Sequence, residues 1–318
     1  MSRSTAMPGG VATPPDAGSE RRASRTWCVL DLLRWTADHF ARRGIETPRL
    51  DAEVLLAHAL ATDRLRLYLD FDKPVEETER SRFRSLVRRR AEERVPVAQL
   101  TGIREFWSLP LQVTPDVLTP RPETETLVEA ALGMLPDRER AYRILDLGTG
   151  SGAVALALAR ERPRARITAT DVCPAALAVA ERNAQSLGLS GQLCMRLGDA
   201  FAPVAGERFD LVVSNPPYVG EDEAGSLPPE LAHEPHQALF SGPDGTALLR
   251  RLVEGAPAVL EEEGGLALEL SPPQAERTSA WLRGSGFGAI RLHPDLAGRC
   301  RVVSARLGRE GEAGLKKE

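Results

Sequence analysis

The stretch Arg143–Ala159, RILDLGTGSGAVALALA, decides the fold of this 318-residue chain. It begins with an apolar run, continues with glycines at positions 148, 150 and 152, and ends in a segment of small apolar residues. Glycines let a backbone approach a ligand closely, and a helix N-terminus presents unpaired N–H groups. The stretch therefore predicts a buried strand, a ligand-binding turn and a helix.

An acidic residue completes this pattern. The next apolar strand ends at Asp171, about twenty residues beyond the glycine turn, where a carboxylate accepts hydrogen bonds from ribose hydroxyls. The combination predicts a nucleoside site at the carboxyl edge of a parallel sheet. The same spacing also satisfies the loose dinucleotide fingerprint, so this turn alone leaves two readings open, an NAD dehydrogenase and an S-adenosylmethionine (AdoMet) enzyme.

Strands and helices alternate through the C-terminal two thirds of the chain. This order predicts an α/β fold with a mainly parallel sheet and helices on both faces, closed by an antiparallel edge. The strands are expected at Arg143–Leu147, Arg166–Asp171, Gln192–Leu197, Leu211–Ser214, Gly265–Leu270 and Cys300–Leu307. Before them, the alternation of Trp107, Leu109, Leu111 and Val113 predicts one half-buried strand over Phe106–Val113.

Polar residues follow two further strands of the predicted sheet. After Phe209–Val213, the sequence SNPPYVG ends the strand at Asn215, because proline cannot donate to a sheet ladder. After the third strand, Asp199 and Phe201 are placed to contact an adenine ring, although a plain strand-end turn explains them equally well. Residues 219–245 then form a long polar segment, a length typical of a functional lid.

Composition restricts the classes of function. The chain is 42% hydrophobic with a formal net charge of −4, and it contains no apolar run long enough to span a bilayer. The acidic balance argues against a long nucleic-acid partner. Four separated cysteines suggest neither a zinc site nor a disulfide framework, and they fit a reducing cytoplasm. The pair His233 and His236 lacks helical metal spacing because Pro235 stands between them, so we expect no metal.

The chain divides into five predicted parts. They are a disordered N-terminal extension (1–26), a helical domain (27–95), a linker with a β-hairpin (96–120), an α/β domain (121–308) and a disordered tail (309–318). Apolar stripes at Val29, Leu32, Leu33, Ala37 and Phe40, and at Phe83, Leu86, Val87 and Ala91, predict amphipathic helices in the helical domain. The same region carries arginines 82, 84, 88, 89, 90 and 94, which suit either a solvated face or docking of an acidic or RNA-bound partner.

With these motifs in place, the sequence resembles a known family. The glycine turn, the acid after the second strand and Asn-Pro-Pro-Tyr after the fourth are typical of AdoMet-dependent methyltransferases that act on amino groups. The stretches LTGIREFWSLPLQVTPDVLTPRPETE, ELAHEPHQALFSGPDG and DLAGRCRVV further resemble the protein-(glutamine-N5) methyltransferases of class 1 peptide chain release factors. The likeness covers residues 27 to 308. It implies a Rossmann-like seven-stranded class I methyltransferase domain preceded by a small helical bundle that binds substrate.

The resemblance also implies roles for particular residues. AdoMet would be held by Gly148, Thr149, Gly150, Ser151 and Gly152 at its methionine, Asp171 at its ribose, and Asp199, Ala200 and Phe201 at its adenine, with Asn215 beside them. The substrate glutamine would be held by Asn215, Pro216, Pro217 and Tyr218, with Phe106 as a wall. Related sequences often carry tryptophan where this chain has Ala200, and Phe201 would then supply the missing contact. Considered by itself, Phe106 is more typical of core packing.

The chemistry of an amide explains the four residues Asn215, Pro216, Pro217 and Tyr218, referred to below as the tetrad. An amide nitrogen is a poor nucleophile, and two fixed acceptors, the Asn215 side-chain carbonyl and the Pro216 main-chain carbonyl, hold both its N–H bonds and aim its lone pair. Asn215 and Pro216 are therefore predicted to be catalytic, and the resemblance adds Tyr218, which would pack on the amide, as the third catalytic residue. The tetrad alone leaves other substrates open: a glutamine of another protein, such as a ribosomal protein, or an exocyclic amine of a nucleic-acid base. A nucleotide-binding regulator without catalysis is the remaining alternative.

Overall fold

A seven-stranded sheet forms the C-terminal part of the protein. The structure, a computed structural model, describes residues 26–308, so the predicted disordered segments 1–26 and 309–318 lie outside the described residues except for Thr26. The sheet contains β3 (Arg143–Leu147), β4 (Arg166–Asp171), β5 (Leu193–Leu197), β6 (Phe209–Ser214), β7 (Leu260–Glu269), β8 (Phe287–Pro294) and β9 (Cys300–Leu307). Their order across the sheet is β5-β4-β3-β6-β7-β9-β8.

The first five of these strands are parallel, and β9 runs antiparallel to both β7 and β8. The predicted α/β fold with an antiparallel edge is thereby confirmed. The strand β8 was not expected from the sequence. It is an edge strand whose residues are mostly exposed, so it lacks the apolar run that marks the buried strands.

Helices cover both faces of the sheet. They are α6 (Glu125–Met134), α7 (Ala153–Glu161), α8 (Pro174–Ser186), α10 (Ala247–Gly255) and α11 (Ala275–Gly284), while the short helix α9 (His236–Leu239) belongs to the connection between β6 and α10. Ile144 and Val213 point to the core beneath α6 and α7, whereas their strand neighbours Leu145 and Val212 point to the core beneath α10 and α11. This period-two alternation gives each face its own apolar core.

Five helices precede the sheet. They are α1 (Val29–Arg42), α2 (Pro48–Ala59), α3 (Arg64–Leu69), α4 (Glu77–Glu92) and α5 (Val97–Thr101). The predicted stripes are confirmed, because Phe40, Phe83 and Val87 are buried in one shared core. Among the arginines of the α4 region, most are exposed but Arg90 is buried. No helix within residues 26–308 has the length and apolar character that crossing a bilayer demands.

The segment between the helices and the sheet is a β-hairpin. Strands β1 (Ile103–Phe106) and β2 (Leu109–Gln112) pair antiparallel across a turn at Trp107 and Ser108, whose φ angles are 51° and 57°. The expectation of one strand over Phe106–Val113 is wrong, because these left-handed angles reverse the chain. A hairpin within the predicted linker is confirmed. The boundaries proposed for the five parts of the chain stay a prediction.

Candidate functional site

The glycine loop lies between β3 and α7 at the carboxyl edge of the sheet. Gly148 and Gly150 adopt left-handed φ angles of 69° and 55°. A Cβ added at either glycine would meet no heavy atom within 4 Å, so the loop leaves open space beside it. The Thr149 main-chain N–H donates to the carbonyl of Thr170 on β4 at 2.9 Å and fixes the loop against the sheet. The result is an open loop whose backbone is held against the sheet, and its binding of a ligand stays a prediction.

Asp171 is hydrogen-bonded to the backbone of the glycine loop. Its two carboxylate oxygens accept from the main-chain N–H groups of Gly150 and Cys173, each at 2.9 Å. A carboxylate has about four lone-pair sites, so it keeps capacity for ribose hydroxyls. Its role at the ribose stays a prediction, and the structure adds that Asp171 also sets the shape of the glycine loop.

Asp146 is a site residue that sequence reasoning missed. It lies in β3, is 2% exposed and lines the same cavity. Burial raises the pKa of its carboxyl to about 6, while the Thr149 hydroxyl, which donates to Oδ2 at 2.7 Å, opposes that rise. A carboxylate inside an otherwise apolar strand was the available signal, because burying such a charge is costly without a purpose.

Gly152, although part of the predicted binding loop, has a different surrounding. It caps α7 with a φ of 83°, and an added Cβ would lie 3.1 Å from Leu156 and 3.2 Å from Ala180. It does not line the cavity that contains Gly148, Thr149, Gly150 and Ser151. Gly152 therefore serves the close approach of α7 and α8.

Two of the three residues predicted for the adenine side line the cavity. Asp199 and Ala200 line the cavity, but the Asp199 carboxylate pairs with Arg251 at 2.8 Å in an exposed ion pair. The Phe201 ring instead packs against Gly255 of α10, where an added Cβ would lie 2.6 Å from the ring. Phe201 does not line the cavity, and its contact with an adenine ring stays a prediction.

The tetrad begins where β6 ends. The Ser214 hydroxyl donates to the Leu147 carbonyl at 2.8 Å and ties β6 to the start of the glycine loop. Asn215 Nδ2 donates to Thr124 Oγ1 at 3.2 Å, which turns Oδ1 to the other side of the amide. Asn215, Pro216 and Pro217 line the same cavity as the glycine loop. The structure thus brings the predicted amide acceptors and the predicted nucleoside site together.

Tyr218 is held at both ends. Its hydroxyl donates to Glu269 Oε1 at 3.2 Å, and burial together with that carboxylate raises the pKa of Tyr218. Its main-chain carbonyl accepts from Gln274 Nε2 at 2.9 Å. Thr124, Glu269 and Gln274 support the tetrad, and sequence reasoning found none of them because each lies far from it along the chain.

Phe106 packs in the apolar core. Its side chain is 2% exposed, in the cluster beneath α6 and α7, and it does not line the cavity. This packing agrees with the alternative that sequence analysis gave for it. Its role as a wall of the glutamine pocket stays a prediction.

The segment 219–245 is anchored rather than irregular. It forms short 3-10 turns at Glu221–Ser226 and Pro229–His233 and the helix α9. Glu230 accepts from the buried Arg90 at 2.9 Å, and His233 Nε2 lies 2.6 Å from the Glu93 carbonyl. The arginine stretch of α4 thus contacts this segment as well as solvent. Whether the segment closes over a substrate stays a prediction.

Among residues 26–308, no group of three or more histidine, cysteine, aspartate or glutamate side chains is arranged to hold a metal ion.

Comparisons with known proteins identify relatives of this chain. The PrmC N-terminal domain family matches residues 31–102, and the Methyltransferase small domain family matches residues 125–277. The chain is 46% identical to the release factor glutamine methyltransferase of Rhodopirellula baltica, over 87% of this chain and 96% of that protein. It is 45% identical to that of Cereibacter sphaeroides, over 87% of this chain and 98% of that protein.

Solved structures show the same fold. The hMettl16 catalytic domain, solved in complex with MAT2A 3′UTR hairpin 6, superposes with a TM-score of 0.53 at 13% identity, covering 74% of this chain and 83% of that one. At this identity the similarity concerns the fold alone.

Proposed function

Because the chain belongs to the release factor glutamine methyltransferase family and is a methyltransferase, we propose that it modifies the glutamine of the Gly-Gly-Gln motif in class 1 peptide chain release factors. The methyl group would come from S-adenosyl-L-methionine and pass to the side-chain amide nitrogen. S-adenosyl-L-homocysteine would be the other product, and no metal would take part. The reaction would act in translation termination, which places the protein in the cytoplasm.

One observation carries the proposal. Asn215, Pro216 and Pro217 line a single cavity together with Gly148, Thr149, Gly150, Ser151 and Asp171. The loop predicted to bind the nucleoside and the residues predicted to hold the amide therefore line the same space. This is the arrangement that transfer from a nucleoside donor to an amide acceptor requires.

The residues fit the donor. AdoMet supplies a methyl group activated by its sulfonium. The open space at Gly148 and Gly150 suits its methionine part, and Asp171 retains acceptor capacity for its ribose. Asp146, buried in the cavity wall, adds a carboxyl on the same side. Asp199 and Ala200 would lie at the adenine.

The tetrad would orient the acceptor. Asn215 Oδ1 and the Pro216 carbonyl accept the two N–H bonds of the substrate amide and direct its lone pair toward the methyl group. The same acceptors favour the positive charge that develops on nitrogen. Proline fixes φ, so the Pro216 carbonyl needs no reorientation at the moment of transfer. The methylated nitrogen is acidic and releases its proton to solvent, so no strong base is needed.

Mass spectrometry of a purified release factor, incubated with this protein and AdoMet, tests the proposal. We expect one added methyl on the Gly-Gly-Gln glutamine, and none on a release factor in which that glutamine is alanine. A ribosomal large-subunit protein and an RNA incubated in parallel are the alternative substrates. Methylation of either in place of the release factor would show that the substrate is wrong.

Asn215→Ala tests the amide clamp. We expect most turnover to be lost while the affinity for AdoMet, measured by calorimetry, stays within a few-fold of the original protein. Near-normal turnover in this variant would mean that Asn215 does not orient the substrate.

A further inference from the structure

Glu269 is a buried carboxylate beside the tetrad. The proposed reaction assigns it no role. It is the last residue of β7 and is 1% exposed. In the parallel pairing of β6 with β7, Ser214 lies opposite Leu268, so Glu269 follows in register beside Asn215. Burying a carboxylate is costly, so its position at the reacting end of the sheet calls for a function.

The two oxygens of Glu269 are in different situations. Oε1 accepts from the Tyr218 hydroxyl at 3.2 Å. Oε2 is buried and has no hydrogen-bond partner among residues 26–308. The Thr124 hydroxyl lies near this carboxyl, where it favours the charged form, and it also accepts from Asn215 Nδ2 at 3.2 Å. Thr124 therefore stands between Glu269 and the amide of Asn215.

Thr124 and Glu269 form no hydrogen bond in this structure, but Oε2 has an unused lone pair and the neighbouring Thr124 hydroxyl can donate to it. The donors and acceptors of the two groups limit how they can pair. An ionised carboxylate only accepts, whereas a hydroxyl has one hydrogen to donate and two lone pairs. If Thr124 turns its hydrogen toward Glu269, it can only accept from Asn215. The amide of Asn215 must then present Nδ2 to Thr124 and keep Oδ1 for the substrate.

A neutral group at position 269 removes this constraint. A protonated carboxyl can donate to Thr124, whose own hydrogen is then free to turn toward Asn215. The amide of Asn215 would rotate to accept it, and Nδ2 would face the substrate in place of Oδ1. An amide nitrogen there repels the N–H bonds that the tetrad is proposed to hold.

We propose that Glu269, as a carboxylate, is a positioning residue for the methyl transfer: through Thr124 it decides which atom of the Asn215 amide faces the substrate. The inference rests on the proposed function for its effect on turnover, but the orientation of Asn215 can be tested without any substrate.

The charges around Glu269 place this effect within the neutral pH range. Burial raises the pKa of the Glu269 carboxyl to about 7, and the nearby Glu123 raises it further, while the hydroxyls of Thr124 and Tyr218 and the guanidinium of Arg301 on β9 lower it. The positive charge of Arg121 lowers the pKa of the neighbouring Tyr218. A carboxyl with a raised pKa is ionised only above that value, so orientation is lost as pH falls below about 7.

The chain offers an unusually clean probe of the Asn215 amide. It contains only two asparagines, Asn183 and Asn215, so asparagine-selective 15N labelling gives two side-chain amide groups in an NMR spectrum. Asn183 is fully buried, and its Nδ2 donates to the Ser151 carbonyl at 2.9 Å, which makes it an internal control. Asp146 lines the same cavity as Asn215, and burial raises the pKa of its carboxyl to about 6. It remains in every variant, so any effect of its titration on Asn215 also remains.

We expect the Asn215 amide signals to shift with a midpoint near pH 7 in the original protein, and this transition to be absent in Glu269→Gln. The Asn183 signals should not move with that midpoint. A transition of Asn215 that persists unchanged in Glu269→Gln would belong to Asp146 or another group and would overturn the proposal. So would an Asn215 amide that does not titrate in the original protein.

Turnover supplies the second test. At pH 8, Glu269→Gln should lower kcat at least tenfold, with AdoMet affinity and the KM for the release factor within about threefold. The ratio of the two kcat values should shrink as pH falls below 7. Thr124→Val should behave like Glu269→Gln, and Thr124→Ser, which restores the hydroxyl, should recover most of the rate. A parallel loss of AdoMet binding and thermal stability would instead reveal a purely structural role.

Asp210→Asn is the matched control. Asp210 lies at the opposite end of β6, where it accepts from Arg140 at 2.7 Å, and its replacement should leave kcat and its pH profile unchanged. Failure of the original protein to methylate a release factor would contradict the proposed function alone, because the NMR titration still decides whether Glu269 orients Asn215.

Discussion

Replacing Gly245 by alanine tests how tightly the backbone of Gly245 packs against the backbone of Tyr218 in the tetrad. Gly245 lies near the end of the segment 219–245 and has a φ of 71°. A Cβ built on it would lie 2.2 Å from the Tyr218 carbonyl oxygen and 2.7 Å from the Tyr218 carbonyl carbon. Both atoms belong to the backbone, so no side chain can rotate away to make room.

The left-handed φ and the backbone overlap set the size of the expected losses of stability and turnover. A left-handed φ costs an alanine roughly 1–2 kcal/mol. Non-bonded carbon atoms need about 3.5 Å, so the Tyr218 backbone must move by about 1 Å. Relieving the overlap adds about 1–3 kcal/mol to the loss of stability. A displacement of about 1 Å in a catalytic segment lowers turnover by about 10²-fold.

Turnover of a release factor and thermal unfolding measure the two effects. Gly206→Ala is the matched control, since Gly206 has a φ of 81° and an added Cβ there would meet nothing within 4 Å. It should lose about 1–2 kcal/mol of stability from its backbone angle and keep normal turnover.

The comparison separates backbone strain from displacement of the tetrad. If Gly245→Ala retained the turnover of the Gly206→Ala control, the tetrad would tolerate a shift of its backbone, and the reasoning that its carbonyls must be fixed would be refuted.

Two further changes test the helical domain and the glycine loop. Arg90→Met should destabilise the protein by about 3–5 kcal/mol in urea denaturation. Asp51 is 5% exposed and lies 2.7 Å from Arg90, so the substitution leaves a buried charge without its cation. A loss of stability below about 1 kcal/mol would show that Asp51 is solvated. Asp171→Ala should raise the Kd for AdoMet at least tenfold by calorimetry, because the N–H groups of Gly150 and Cys173 lose their acceptor and the loop loosens; an unchanged Kd would contradict a role at the ligand.

Local sequence was sufficient for the elements whose signals are local. The strand, turn and helix over Arg143–Ala159 follow from apolar periodicity and from glycines at positions of left-handed φ. The end of β6 at the tetrad follows from the missing N–H of proline. A hairpin in the linker was predicted, but the position of its turn at Trp107 and Ser108 was not, because bulky residues rarely adopt positive φ. The edge strand β8 was not predicted either, because an exposed edge has no apolar run.

What the sequence determined by itself is the identity of the chemical groups: a glycine loop, an acid at the end of β4 and two carbonyl acceptors after β6. Only the tertiary structure decided how those groups are held. Thr124, Glu269, Gln274 and Gly245 reach the tetrad from separate segments of the chain. Hydrogen bonds of this kind depend on how strands and helices pack, and no periodicity along the chain records them.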